Sequence, residues 1–226
     1  MLADLQDIVG DLVRDAVSRL GDAARDRAIG LAVVQYGKDR PRVMVEDLVS
    51  LAGTPKTLPL PADWLQGQSR ALSIEYPIGE VPASLLPRHL WTVATVPAGE
   101  IIALPAEAVT GAAHRLAWSR PHVVSAIEDS IPEQDREAVA QYAAGLLLDQ
   151  LATLTSGDRE STIKGDSVDH ADAAPNYAAR AKTARQRYHD LLGIDPKRLA
   201  PASVTVNPPL ASSKGEGRLL WRRKRS

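Results

Sequence analysis

Two helical patterns in the C-terminal half decide the fold: SIPEQDREAVAQYAAGLLLDQLATL at residues 130–154 and NYAARAKTARQRYHDLLG at residues 176–193. Ser130 and Glu133 have the spacing of a capping box, which predicts that the hydroxyl accepts a backbone N–H bond and that the carboxylate reaches back to the cap. In both segments the apolar residues recur at the i, i+3, i+4, i+7 spacing of a helix stripe. Gly193 suits the end of the second helix, because helices commonly end at a residue with positive φ. The sequence therefore predicts two helices that pack as an antiparallel hairpin.

The outer face of the second predicted helix is basic, and its four cations are Arg180, Lys182, Arg185 and Arg187. A row of this kind is usually a solvated helix face, and that is the first interpretation. The alternative is a surface that binds DNA phosphates, which would make binding salt-dependent. The sequence leaves both interpretations open.

Composition limits the classes of protein to which the chain can belong. The 226 residues carry a formal net charge of -1 and contain no cysteine, so we expect neither a global attraction to nucleic acid nor a disulfide-stapled secreted fold. No apolar run approaches the roughly 20 residues that span a bilayer. Asp4, Asp7 and Asp11 stand where a signal peptide would be positive. We therefore expect a soluble protein that is assembled in the cytoplasm and has no membrane partner.

Two short helices are predicted before residue 42. Apolar residues recur at helical spacing over residues 2–20, and Gly21 ends that pattern. Asp22 is predicted to cap a second helix, and Gly37 followed by Arg40 and Pro41 is predicted to mark its end. The apolar stripe of this second helix consists of Ile29, Ala32, Val33 and Tyr36.

Residues 42–122 have the pattern of antiparallel strands separated by Pro and Gly turns. The strand-like runs are residues 42–49, 71–76, 90–96, 101–104 and 114–119. In the second of these runs, alternation predicts that Leu72, Ile74 and Tyr76 share one buried face. Residues 97–100 suit a hairpin loop. The whole region is predicted to be an antiparallel β module inserted between helical segments.

The predicted fold class is α+β. A helical bundle is formed by the N-terminal helices and a long C-terminal helical hairpin, with the inserted antiparallel β module and an extended C-terminal tail. The predicted parts are the N-terminal helices at residues 1–41, the β module at 42–122, the helical hairpin at 123–193 and the C-terminal arm at 194–226. The polar loop at residues 155–175 that joins the hairpin helices is long for such a connection.

No motif in the sequence carries specific catalytic chemistry. The five histidines are scattered, and the phosphate-binding and nucleophile-elbow motifs are absent. Asp166, Asp169 and His170 offer oxygen and nitrogen ligands for a divalent cation. The favoured alternative is a solvated turn whose carboxylates bond to their own backbone. We therefore predict no enzymatic activity, no catalytic residue, no metal site and no cofactor.

An apolar and basic cluster lies in the predicted C-terminal arm. Its members are Arg218, Leu219, Leu220, Trp221, Arg222, Arg223, Lys224 and Arg225. Two leucines and a tryptophan are costly to leave in water, so the cluster is typical of a docking motif in which Trp221 fills a pocket and the arginines pair with acidic residues. The alternatives are a basic segment that only improves solubility and one that binds phosphate.

Three phrases of the sequence have counterparts in a known family. They are DRAI and QYGKDRPR within residues 26–42, LSIEYP and GEVP within residues 72–82, and GDSVDH at residues 165–170. Together with the order of segments, these phrases resemble head-tail adaptor (connector) proteins of tailed bacteriophages over residues 20–193. The resemblance consists of segment order and short phrases and includes no catalytic motif.

This resemblance implies a subunit of a dodecameric ring below the portal protein, in the neck of a virion assembled in the host cytoplasm. The ring would extend the channel through which genomic DNA passes without sequence-specific contacts, and would present a surface to a downstream neck or tail protein. In that family the C-terminal tail commonly grips the portal, a role that would fall here on residues 218–225. The β module at residues 42–122 is larger than the minimal adaptor needs, and we expect it to widen the ring or face outward.

A ring closes through a heterologous interface, so each subunit needs apolar surface beyond its own core. The predicted interface residues are Ala140, Ala144 and Leu148 on the first hairpin helix, and Asp166, Asp169 and His170 in the polar loop. The alternative function is a DNA-binding regulator or packaging subunit that uses the basic helix face and the tail. A third class, a hydrolase or metalloenzyme, would need a cleft that collects the acidic and histidine side chains of the polar loop.

Overall fold

The computed structural model describes residues 2–14, 19–50, 57–104, 111–157 and 173–195. Within these ranges the chain forms four α-helices and two three-stranded antiparallel sheets. The helices are α1 (Leu2–Val13), α2 (Asp22–Asp39), α3 (Arg136–Gly157) and α4 (Ala173–Leu192). The strands are β1 (Arg42–Val49), β2 (Thr57–Leu58), β3 (Arg70–Glu75), β4 (Thr92–Val96), β5 (Gly99–Ala103) and β6 (Ala113–Arg120). The predicted α+β class, with antiparallel strands between helical segments, is confirmed.

Helix α3 lies at the centre of the bundle, since α1, α2 and α4 all pack against it. Its side chains Val139, Leu147 and Leu151 are almost fully buried, and burial of an aliphatic side chain contributes roughly 1.5–3 kcal/mol. At Gly145 a Cβ atom would lie 3.3 Å from the carbonyl oxygen of Ala181. Glycine at this position therefore lets α3 and α4 approach closely.

The first N-terminal helix is shorter than its apolar pattern. α1 ends at Val13, although the pattern continues to Leu20. Arg14 has a positive φ of 23°, which cannot continue a right-handed helix. The predicted helix is therefore interrupted at residue 14, and residues 15–18 of the pattern lie outside the described residues.

The second N-terminal helix is present; its N-cap lies one residue earlier than predicted, while its end at Asp39 agrees with the predicted stop at Arg40 and Pro41. Gly21 is the N-cap and makes no side-chain capping bond, while Asp22 is already helical and accepts a hydrogen bond from Arg25 at 2.8 Å. The helix continues through Gly37 to Asp39. The Asp39 carboxylate accepts a hydrogen bond from the hydroxyl of Tyr188 in α4, which holds this last turn against the bundle.

Ser130 closes a loop instead of capping a helix. Its hydroxyl accepts a hydrogen bond from the Val123 N–H at 2.9 Å and lies 3.2 Å from the Val123 carbonyl oxygen, to which it donates. A short 3-10 turn (Glu133–Asp135) without a side-chain cap precedes α3. The predicted capping box is therefore wrong, because the hydroxyl is engaged within the segment that connects β6 to α3.

The six strands form two sheets with the orders β1-β6-β3 and β2-β5-β4. A shared apolar core includes the indoles of Trp64, Trp91 and Trp118. Strands β4 and β5 form the predicted hairpin, and Val96 pairs with Gly99. The connecting loop is accordingly shorter than the predicted residues 97–100.

A β-bulge changes which residues of β3 are buried. The register between β3 and β6 shifts between Ala71 and Ser73. Leu72 is consequently 44 % exposed, while Ala71 and Ile74 are buried. The prediction that Leu72 and Ile74 share a buried face is wrong, because a bulged residue breaks the two-residue alternation.

The bundle and the β module have separate cores and meet through polar contacts. The ring of His122 lies between them, with Nε2 at 2.9 Å from the carbonyl oxygen of Arg40 and Nδ1 at 3.0 Å from the hydroxyl of Ser130. Arg42 donates a hydrogen bond to the Glu128 carboxylate at 3.0 Å. These contacts, called the polar joint below, fix the point where the chain leaves and re-enters the bundle.

Candidate interaction surfaces

The predicted interface stripe of α3 is buried inside the monomer. Ala140, Ala144 and Leu148 are 0 %, 1 % and 3 % exposed, because other helices of the bundle cover α3 on these sides. Side chains that are already buried in their own chain cannot contribute apolar surface to a neighbour. The prediction that these three residues form a subunit interface is therefore wrong.

One stripe of α3 remains uncovered by the described helices, and it forms the floor of a shallow groove. Tyr142 and Leu146 form this floor, and α2 flanks them with Leu31 and Val34, which are 57 % and 58 % exposed. Gln35 and Lys38 of α2 complete the lining of the groove, whose volume is about 230 Å³. We call this groove the α2–α3 slot.

Two cations on α2 lie at opposite ends of the exposed leucine and valine. Arg27 donates a hydrogen bond to the Ala23 carbonyl oxygen at 3.3 Å, and within the described chain it pairs with no carboxylate. Lys38 likewise has no partner among the described residues. The slot is thus an apolar surface with uncompensated positive charge at its edge.

A second apolar surface lies on the outer face of β1. Val43, Val45 and Val49 are 51–61 % exposed and alternate along the strand, so they point to the same side. Among the described strands β1 is also an edge strand, since its one partner there is β6. We call these three valines the β1 face.

An ion-pair cluster crosses the sheet next to the β1 face. The Arg115 guanidinium contacts Asp47 of β1 at 2.7 Å and Glu75 of β3 at 3.5 Å. The hydrogen bond from Arg115 lowers the pKa of the Asp47 carboxyl below its usual value. The Arg115 and Asp47 side chains are 38 % and 48 % exposed, so this pair orients the strands and adds little stability, whereas the Glu75 carboxylate is buried.

The basic row of α4 is largely used within the bundle. Arg180 donates to the Leu12 carbonyl oxygen at 3.1 Å, Arg185 pairs with Asp149 of α3 at 2.7 Å, and Arg187 contacts Glu137 at 3.3 Å. All four cations remain exposed or partly exposed, as the interpretation of a solvated face predicts, and three of them also make contacts within the bundle. Lys182 is the remaining cation, and it has no partner in the described part of the chain.

Two buried tyrosine–aspartate hydrogen bonds connect the bundle helices. Tyr36 donates to Asp135 at 2.6 Å, and Tyr188 donates to Asp39 at 2.5 Å. Burial raises the pKa of both tyrosine hydroxyls, and the neighbouring carboxylate raises it further. Hydroxyls held protonated in this way act as hydrogen-bond donors and not as bases, so the two pairs serve to align helices.

The remaining predicted site residues lie outside the described residues. They are Asp166, Asp169 and His170 of the polar loop, and Arg218, Leu219, Leu220, Trp221, Arg222, Arg223, Lys224 and Arg225 of the arm. Among the residues that are described, no group of three or more histidine, aspartate or glutamate side chains is placed to bind a metal ion. Within the same ranges, none of the helices has the length and apolarity required to cross a bilayer.

The sequence of α2 already indicates the slot, because apolar residues occur on a second side of this helix besides its core stripe. The predicted core stripe of α2, including Ile29, Val33 and Tyr36, is buried as expected. Leu31 and Val34 are apolar as well, but they fall on the opposite side of the helix. Apolar residues on two sides of a helix that covers its core with only one side indicate a second contact surface.

Comparisons with known proteins identify no relative. No protein-family model matches the chain, and no curated protein matches it. The fold and the exposed surfaces therefore define an α+β protein with one apolar surface on its helical bundle and another on its β module.

Proposed function

We propose that the chain is a structural head-tail adaptor in the neck of a tailed bacteriophage. Copies form a ring, with twelve as the proposed number, below the portal protein. The ring extends the DNA channel and joins the capsid to the tail. The role requires positioning and no catalysis, and it places the protein in a virion that is assembled in the host cytoplasm.

The observation that carries the proposal is that one chain exposes apolar surface at two separate places. A closed ring needs two different, complementary surfaces on every subunit, because each copy contacts a neighbour on either side. A neck component also needs surface for the proteins above and below it. The α2–α3 slot and the β1 face are exposed apolar surfaces on two different cores, which leaves surface for neighbouring copies and for the other proteins of the neck.

The same proposal assigns roles to the helical hairpin and to the C-terminal arm. Helices α3 and α4 form a long hairpin that completes the bundle, and residues 194–226 form an extended arm that grips the portal through Leu219, Leu220 and Trp221. A downstream neck or tail protein binds the opposite side of the ring. Genomic DNA passes without sequence-specific contacts, in keeping with a formal net charge of -1.

The test is assembly on a cognate portal ring, imaged by electron microscopy. The full chain is compared with a chain truncated after Pro209 and with a full-length variant, Leu219→Ala/Trp221→Ala, that keeps every basic residue. We expect a ring below the portal with the full chain and none with either variant. If both variants bind as well as the full chain, the role of the arm is wrong. If the full chain itself does not bind the portal, the adaptor function is wrong.

The DNA-binding alternative keeps less support than the sequence suggested. Arg180, Arg185 and Arg187 already make contacts within the bundle, so binding to phosphates would compete with these contacts. Duplex binding by the isolated chain that weakens steeply with added salt would favour this alternative. Without such binding, the adaptor remains the better proposal.

A further inference from the structure

The α2–α3 slot has the dimensions and spacing of a helix-binding groove. Leu31, Val34 and Lys38 lie at i, i+3 and i+7 along α2, and Tyr142 and Leu146 lie four residues apart on α3. Two neighbouring helices with rows of this spacing present the groove into which the ridge of a third helix packs. The described helices leave this position beside α3 open.

The outer face of α1 has the complementary charge. Asp7 and Asp11 are exposed, and within the described residues neither carboxylate has a partner. Gly10 lies between them, and a Cβ atom added there would meet nothing within 4 Å. A glycine inside a helix costs about 1 kcal/mol relative to alanine, and nothing packed inside this chain requires it at residue 10. A close approach by another helix at this point explains why residue 10 is a glycine.

We infer that α1 of one copy of the chain binds the α2–α3 slot of a second copy. In an antiparallel approach that sets Gly10 against Val34, Asp7 lies about 4.5 Å along its helix and Lys38 about 6 Å along the other, in the same direction. The Asp7 carboxylate is then beside the unpaired Lys38 ammonium. The exposed Val34 side chain packs over the bare backbone at Gly10.

This contact is heterologous, because the two surfaces involved are different. After the first contact one copy therefore retains a free slot and the other a free α1, and repetition of the contact produces a ring if the rotation closes. The inference names the subunit interface of the proposed adaptor and to that extent rests on the proposed function. It replaces the predicted interface at Ala140, Ala144 and Leu148, which the fold buries.

The test uses single cysteines, since the natural chain has none. Gly10→Cys and Val34→Cys proteins are purified separately, checked for unchanged helix content by circular dichroism, and mixed under oxidising conditions. We expect a covalent dimer in the mixture and little in either protein alone, because each disulfide needs one residue from each surface. Val81→Cys is the matched control, since residue 81 is 98 % exposed and lies outside both surfaces.

Charge reversal provides an independent readout of the same contact. Lys38→Glu in the Val34→Cys protein, or Asp7→Lys in the Gly10→Cys protein, is expected to reduce the cross-linking rate about fivefold at low salt. Combining the two reversed proteins restores the pair and is expected to recover most of the rate. A cross-linking rate that neither charge reversal changes, or that is no higher than with Val81→Cys, overturns the inferred interface. Portal binding by the same proteins is measured separately, so a wrong interface is distinguishable from a wrong adaptor function.

Discussion

At the scale of single residues, the buried hydroxyl of Tyr36 is expected to contribute to the free energy of unfolding through its hydrogen bond. Its hydrogen bond to Asp135, at 2.6 Å, is made where the carboxylate is only 8 % exposed. Tyr36→Phe removes the hydroxyl donor and leaves the buried Asp135 carboxylate without this hydrogen bond. We expect the free energy of unfolding to fall by roughly 1–3 kcal/mol, measured by urea denaturation followed by circular dichroism.

Tyr142→Phe is the matched control for this prediction. Tyr142 is a partly buried bundle tyrosine whose hydroxyl makes no hydrogen bond to the described part of the chain. Its loss should change the unfolding free energy by less than about 0.5 kcal/mol. Equal effects of the two substitutions would show that the Tyr36–Asp135 bond contributes nothing specific.

At the scale of elements, the sequence predicts what depends on local periodicity and misses what depends on neighbours. The core stripe of α2 and strands such as β1 are set by alternation within a few residues, and they form as predicted. The exposure of Leu72 follows from a bulge against β6, and no pattern within β3 reveals it. The burial of Ala140 depends on how many helices surround α3. The same limit applies to the candidate site, where the slot residues are recognisably apolar but their exposure requires the tertiary fold.

The packing of α3 against α4 gives a prediction at this scale. Gly145→Val places side-chain atoms where a Cβ alone would lie 3.1 Å from Arg185 Cγ and 3.3 Å from the Ala181 carbonyl oxygen. We expect a loss of about 1–3 kcal/mol of stability from the forced separation of the helices, measured by chemical denaturation. Gly30→Ala in α2 is the control, since an added Cβ there has open space and should stabilise the helix by up to about 1 kcal/mol. A neutral Gly145→Val would mean that the two helices are not held this closely.

At the scale of the whole molecule, two cores joined by polar contacts should unfold separately. The apolar clusters of the bundle and the β module share no residue, and His122 with its partners forms the joint. Three of the four tryptophans lie in the β core, so tryptophan fluorescence reports mainly on that module, whereas circular dichroism at the helix band reports on the bundle. We expect the two probes to give different denaturation midpoints. Coincident midpoints would show that the polar joint couples the cores into one cooperative unit.

Acid should move one of these transitions selectively, because His114 is fully buried in the β module. Its Nδ1 lies 3.1 Å from the Ala112 carbonyl oxygen, its Nε2 has no hydrogen-bond partner among the described residues, and the ring stacks on Tyr76 at 4.5 Å. Burial lowers the pKa of this imidazole. As the pH falls below the usual histidine value of about 6.5, the unfolded chain binds a proton that the folded module does not, so stability is lost. The denaturation midpoint measured by fluorescence should therefore decrease when the pH is lowered from 7.5 to 5. The His114→Gln variant should lose most of that decrease. A shift that is the same in the variant would assign the acid sensitivity to another group.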